Sequence, residues 1–126
     1  MKLTNNFSKS EFECRSGEEM PSDVLDNVKQ LAIQLQAIRD YVGKPIRINS
    51  AYRSKAHNKL IGGVKTSQHI LGKAADITID TFTPDEVISI IENMLTNEML
   101  GGFHIGGLGS YRTFTHVDIR DKKARW

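Results

Sequence analysis

Residues 67–80 read Ser67-Gln68-His69-Ile70-Leu71-Gly72-Lys73-Ala74-Ala75-Asp76-Ile77-Thr78-Ile79-Asp80, and the character of the chain changes at Gly72. Before it lies a polar loop. After it, Ile77 and Ile79 alternate with Asp76, Thr78 and Asp80, the period of two that a half-buried strand requires. Glycine is the residue of a sharp turn. A turn at Gly72 lets His69 on the loop and Asp76 at the start of the strand converge.

Working outward, two further strands are expected at Ile46–Ser50 and at 114–120, with a weaker one near 103–105. In 114–120, Phe114, His116, Asp118 and Arg120 face one way, and Thr115, Val117 and Ile119 the other. Three helices accompany them. Ser8-Lys9-Ser10-Glu11 is a capping box flanked by Phe7 and Phe12, so a short helix begins at Ser8. Between Pro21 and Gly43, Leu25, Val28, Leu31, Ala32, Leu35, Ile38 and Val42 recur at helical spacing and predict a core helix over Ser22–Val42. Thr83-Pro84-Asp85-Glu86 is a second capping box with Pro at the first helical position, opening a helix that should run to about Met99. The order of elements predicts an α+β fold with a small, mainly antiparallel sheet and helices packed against it. The segments 52–73 and 100–113, rich in Gly and polar residues, read as long irregular loops, which in compact domains usually form sites.

With 126 residues, 39% hydrophobic and 25% charged, the chain fits one domain spanning 1–126. Cys14 is the one cysteine and cannot form an internal disulfide; beside Phe12 it reads as a packed side chain. A net charge of +2 is too small to argue for nucleic acid. No apolar run reaches membrane-spanning length, and the N-terminus lacks the apolar core of a signal peptide. No nucleic-acid partner and no membrane insertion are expected, and a monomer is.

Of the four histidines, His57, His69, His104 and His116, two combine with a carboxylate in a way that matters. His69, Asp76 and His116 come from a loop and two strands. Two imidazoles and one carboxylate suit zinc, and three protein ligands leave a fourth position open, as catalytic zinc requires.

The string from Ser67 to Asp76 matches Ser-x-His-x-x-Gly-x-Ala-x-Asp at every fixed position. It resembles the zinc D-Ala-D-Ala carboxypeptidases and murein endopeptidases, which share a fold with the Hedgehog signalling domain. The resemblance extends to Ile48-Asn49-Ser50-Ala51-Tyr52-Arg53-Ser54, to Asn58, to the Gly-rich stretch before Phe114-Thr115-His116-Val117-Asp118, and to the terminal Ala124-Arg125-Trp126. It covers nearly the whole chain and is closest in character to the compact branch found in phage and bacterial proteins. It implies zinc held by His69, Asp76 and His116, Arg53 binding the substrate or its developing charge, and peptidoglycan stem peptides as substrate. Ser67 is expected to orient the metal loop or touch substrate.

One departure stands out. Many relatives carry an acid three residues before the last metal histidine as general base, and here that residue is Thr113. Asp118, on the strand face of His116, is the expected base, with a supporting role behind a ligand as its alternative. His104 on the Gly-rich loop is the second candidate, and His57 reads as an exposed loop residue. The expected activity is hydrolysis of a peptidoglycan amide by a carboxypeptidase or an endopeptidase. With no signal peptide, the expected setting is the cell wall, reached by phage-mediated release or on a virion. The alternative is a zinc-binding, non-hydrolytic wall-binding or phage structural module.

Overall fold

The computed structural model describes residues 1–100 and 105–126. A 3-10 turn at Lys9–Phe12 opens the chain, and the Glu11 carboxylate accepts the Ser8 N–H at 2.7 Å. Phe7 and Phe12 meet edge to face, ring centroids 6.1 Å apart, and both are buried.

Helix α1, Ser22–Val42, has the expected bounds. It ends at Gly43, whose left-handed φ of 68° lets its N–H reach the Arg39 carbonyl. Strand β1, Ile46–Ser50, leads to a six-residue helix α2, Lys55–Leu60. Strand β2, Ala74–Ile79, is followed by α3, Pro84–Thr96. Thr83 caps α3: its Oγ1 accepts the Glu86 N–H at 3.1 Å and Glu86 Oε1 accepts the Thr83 N–H at 2.8 Å. The helix stops before Met99 because Asn97 turns its side chain onto the Asn93 carbonyl and Glu98 takes a left-handed φ of 54°. Strands β3, Gly107–Ser110, β4, Thr115–Asp118, and β5, Ala124–Arg125, complete the fold.

The five strands form one sheet in the order β1-β2-β4-β3-β5. Every pairing is antiparallel except that of β3 with β5. The fold is α+β, as the sequence predicts. One sheet face carries Ala75, Ile77, Ile79, Leu108 and Val117, which join Val28, Leu31 and Leu35 of α1 and Val87, Ile91 and Met94 of α3 in a single apolar cluster. The other face carries Asp76, His116 and Asp118. Cys14 is buried in the same cluster as Phe12.

Two features depart from the expected pattern. The segment 52–73 is not wholly irregular, since α2 lies within it. The third-sheet strand falls at Gly107–Ser110; of the weak candidate 103–105, only Ile105 lies within the described residues, and it is not in a strand. Gly-Leu-Gly-Ser has no strand propensity of its own. It is extended because β4 on one side and β5 on the other complete its hydrogen bonds.

The loop carrying His69 is fastened to α1. The Asn27 amide donates to the Leu71 carbonyl at 2.9 Å, and Gly72, φ +73°, presses so close that an added Cβ would lie 2.6 Å from Val24 Cγ1 and 2.9 Å from the Val24 carbonyl. Gly72→Ala is therefore expected to lower stability by roughly 1–3 kcal/mol, through both φ and overpacking. A urea midpoint unchanged from that of the parent protein would show that the loop does not depend on this contact.

Candidate metal centre

Strand register builds the site. Asp76 on β2 is the Cα partner of Ser50 on one side and of His116 on the other. His116 in turn faces Gly109, and Asp118 faces Gly107. One polar row thus crosses the sheet, and the loop 67–73 folds His69 over it.

His69 is held from behind by a hydrogen bond of 2.7 Å between Nδ1 and the Ala51 carbonyl. A carbonyl only accepts, so Nδ1 carries the proton and Nε2 turns toward Asp76 Oδ1, 3.2 Å away. His116 is held by the other ring nitrogen: its Nε2 lies 2.7 Å from Asp118 Oδ2, and its Nδ1 lies 3.3 Å from Asp76 Oδ1. Asp118 is an acceptor when ionised, so Nε2 of His116 donates. Two imidazole lone pairs and a carboxylate oxygen then point at one another. Three acceptors at such distances repel unless protons or a cation sit among them. The ligand atoms of His69, Asp76 and His116 all lie within 4.8 Å of one another, and all three residues are buried. The donor set and its orientation fit a metal ion.

Asp118 is fully buried, and both its oxygens are engaged. Oδ2 takes the His116 Nε2–H and Arg120 Nη2 at 2.7 Å each; Oδ1 takes the Arg120 backbone N–H at 3.1 Å and Nε at 2.8 Å. Its carboxylate lies across the imidazole ring from the nitrogen that faces Asp76. Gly107 makes room for it, since an added Cβ there would lie 2.3 Å from an Asp118 oxygen.

Arg53 donates Nη2 to Asp76 Oδ2 at 3.2 Å, Nη1 to Asn58 Oδ1 at 3.3 Å and Nε to Ser50 Oγ at 3.3 Å. Its backbone N–H holds the His69 carbonyl at 3.1 Å. Ser67 is buried, its Oγ accepting the His69 N–H at 3.1 Å. His104 lies outside the described residues. His57 belongs to α2, half-buried, and Thr113 is exposed, grouped with Phe82, Pro84 and Val87 away from the metal cleft.

These groups open into a cleft of about 500 Å³. Sequence reasoning passed over much of its far wall. Trp126 tilts against His116 at 4.9 Å between centroids, lies under Arg120 at 5.1 Å, and donates Nε1–H to the Tyr111 hydroxyl at 2.7 Å. Tyr111 stacks on Phe114 at 4.6 Å. The signal for this wall lay in the glycines: an added Cβ on Gly109 would lie 2.5 Å from the Trp126 indole. The strand period had already put Arg120 on the face of His116.

The site's shape and donors make a buried two-histidine, one-carboxylate group, able to hold a metal ion, on the open face of an α+β sheet. The peptidase M15 profile matches residues 5–118, and the chain belongs to that family. The zinc D-Ala-D-Ala carboxypeptidase of Streptomyces albus G is 44% identical over 45 residues, which is 35% of this chain. That stretch spans 18% of the relative's own length.

The cluster's titration sets a stability window for the metal-free protein. Burial raises the Asp76 pKa, but hydrogen bonds and charge from His116 and His69 outweigh it and hold the carboxyl at about 2, below its ordinary 3.8. Burial likewise opposes, and His116 and Arg120 overcome, in Asp118, whose pKa is also lowered. Burial lowers the His116 pKa, yet Asp118 and Asp76 raise it above 6.5. Depressed acids stabilise above their unfolded values and lose that contribution as pH falls; a raised histidine stabilises below its unfolded value and loses it as pH rises. Metal-free protein should thus be most stable between about pH 4 and pH 6.5, with Tm falling from pH 6 to pH 9. A flat Tm over that upper range would remove the proton-for-metal exchange from the site.

Proposed function

We propose that this chain is a zinc-dependent peptidase that hydrolyses an amide bond in the peptides of bacterial peptidoglycan, as a D-Ala-D-Ala carboxypeptidase or a murein endopeptidase. The observation that carries the reading is the convergence of the His69 and His116 lone pairs on Asp76 Oδ1, each ring locked from behind in the tautomer that exposes it. Membership of the peptidase M15 family supports it, as does the name of the Streptomyces albus G relative. Zinc in that position supplies an acidified water and polarisation of the scissile carbonyl.

The chain's own residues divide the remaining work. Arg53, anchored through Asp76 and Asn58, holds a substrate carboxylate or the developing oxyanion; its fork suits paired oxygens. Ser67 fixes the backbone of His69. Asp118 serves better as a positioning residue than as the general base. Its four hydrogen bonds leave no free lone pair aimed at the cleft, and the His116 ring lies between it and the point where the ligand atoms converge. Proton transfer then falls to His104, the second candidate named from the sequence. A lytic enzyme delivered by a phage remains the setting we favour.

One observation favours a second reading, a zinc-binding module without turnover. Asp76 is the one carboxylate among the described residues lining the cleft, and it is a ligand candidate. Mass analysis of muropeptides incubated with zinc-loaded protein, with and without chelator, separates the two. Chelator-sensitive cleavage is expected; one zinc per chain with no cleavage would establish the second reading.

The same assay divides the roles. His69→Ala, Asp76→Ala and His116→Ala should each lose high-affinity zinc. Asp118→Asn should weaken zinc affinity by about 10–100-fold while keeping turnover at saturating zinc. His104→Ala should keep zinc and lose about 10²–10⁴ in rate. The opposite pattern, with Asp118→Asn losing rate at unchanged affinity, would restore Asp118 as the base.

A further inference from the structure

A second groove of about 600 Å³ adjoins the metal cleft. It is lined by Lys55, Lys59 and Lys65 with Asn58, Gly62, Gly63 and Ile70. The three lysines are exposed, and none of them makes an ion pair among the described residues. Gly62 and Gly63 line both the groove and the cleft, so the two meet at a saddle without side chains.

That saddle is constrained. An added Cβ on Gly63 would lie 2.1 Å from Asn58 Oδ1, the atom that accepts from Arg53. Asn58 Nδ2 also donates to the Val64 carbonyl at 2.9 Å. Asn58 is buried, lines the lysine groove, and accepts a hydrogen bond from Arg53, which lines the metal cleft.

Charge along the chain is as uneven as charge in space. Residues 41–75 hold seven of the 17 Lys and Arg residues and none of the 15 Asp and Glu residues. The small overall charge of +2 conceals a cationic segment, of which Arg53 lines the cleft and Lys55, Lys59 and Lys65 line the groove, and a net acidic remainder. Unpaired lysines around a concavity raise the local concentration of anions and select against cations.

We propose that this groove binds carboxylates of the same peptide whose scissile amide enters the metal cleft, extending the substrate site across the Gly62–Gly63 saddle. The glycine edge that the two cavities share favours one ligand spanning both over a separate polymer. The proposal rests on the peptidase reading for the identity of that peptide, but its test reads binding apart from turnover.

The test uses zinc-loaded protein and calorimetric binding of a peptide ending in D-Ala-D-Ala that carries further free carboxylates, beside its side-chain-amidated counterpart. The acidic peptide should bind about 10-fold more tightly at low salt, and the preference should shrink as salt rises. In Lys55→Gln/Lys59→Gln/Lys65→Gln the preference should vanish, while zinc content, Tm and affinity for the amidated peptide stay unchanged. Lys44→Gln, a distant lysine bonded to Thr81, is the control and should retain the preference. Equal binding of both peptides by the parent protein would overturn the groove. So would a triple variant that keeps the preference, or affinity confined to phosphate-bearing wall polymer. Hydrolysis of both peptides without preference would leave the peptidase reading standing and the groove refuted. Preference without hydrolysis would do the reverse.

Discussion

Asp76 Oδ1 faces two imidazole nitrogens at 3.2 and 3.3 Å, and neither imidazole is free to turn away. The Ala51 carbonyl fixes one ring and the Asp118 carboxylate the other. Rotating either ring to relieve the contact would break a buried hydrogen bond, whose loss costs about 1–3 kcal/mol for the group left unpaired. The frustration is maintained from outside the cluster, so it can be discharged only by protons or by a cation. The sheet enforces it, because Asp76 and His116 are register partners on adjacent strands.

Glycine is what lets the supports come close enough. Gly107 and Gly109 occupy the β3 positions opposite Asp118 and His116, and a side chain at either would strike the Asp118 carboxylate or the Trp126 ring. Gly72 does the same for the loop, bringing it down on Val24 and Val28 of α1. Stability and function meet here. The helix that fills the apolar cluster on one side also holds the His69 loop over the opposite sheet face.

Much of this was legible in the sequence, for identifiable reasons. The α1 bounds followed from Pro21, Gly43 and a long period of 3.6; β2 and β4 followed from alternation; α3 began where the Thr83 box placed it. Those signals are local. β3 was missed because Gly107-Leu108-Gly109-Ser110 carries no strand signal and is extended only through its partners. α2 was missed because six residues cannot display a helical period, and its start depends on Ser54 accepting the His57 N–H at 3.1 Å. In the site, alternation placed His116, Asp118 and Arg120 on one face. It did not reveal which nitrogen of His116 faces Asp76 and which bonds Asp118. The tail ending in Trp126 folds back beside His116 through the parallel β3–β5 pairing, a long-range fact with no local signal.

The charges around the centre have a consequence for the ligands it accepts. Arg53 and Arg120 balance Asp76 and Asp118 through direct ion pairs, so the centre is close to neutral when both histidines are uncharged. A divalent cation added to such a set leaves an excess of positive charge in a cleft with buried walls, where screening by water is weak. That excess opposes a cationic ligand and favours an anionic one. Because the supporting acids are already paired, they do not offset it. The polarity of the site is therefore set by what the sheet has locked in place before any substrate enters, and the unpaired lysines beyond the glycine saddle extend the same polarity outward.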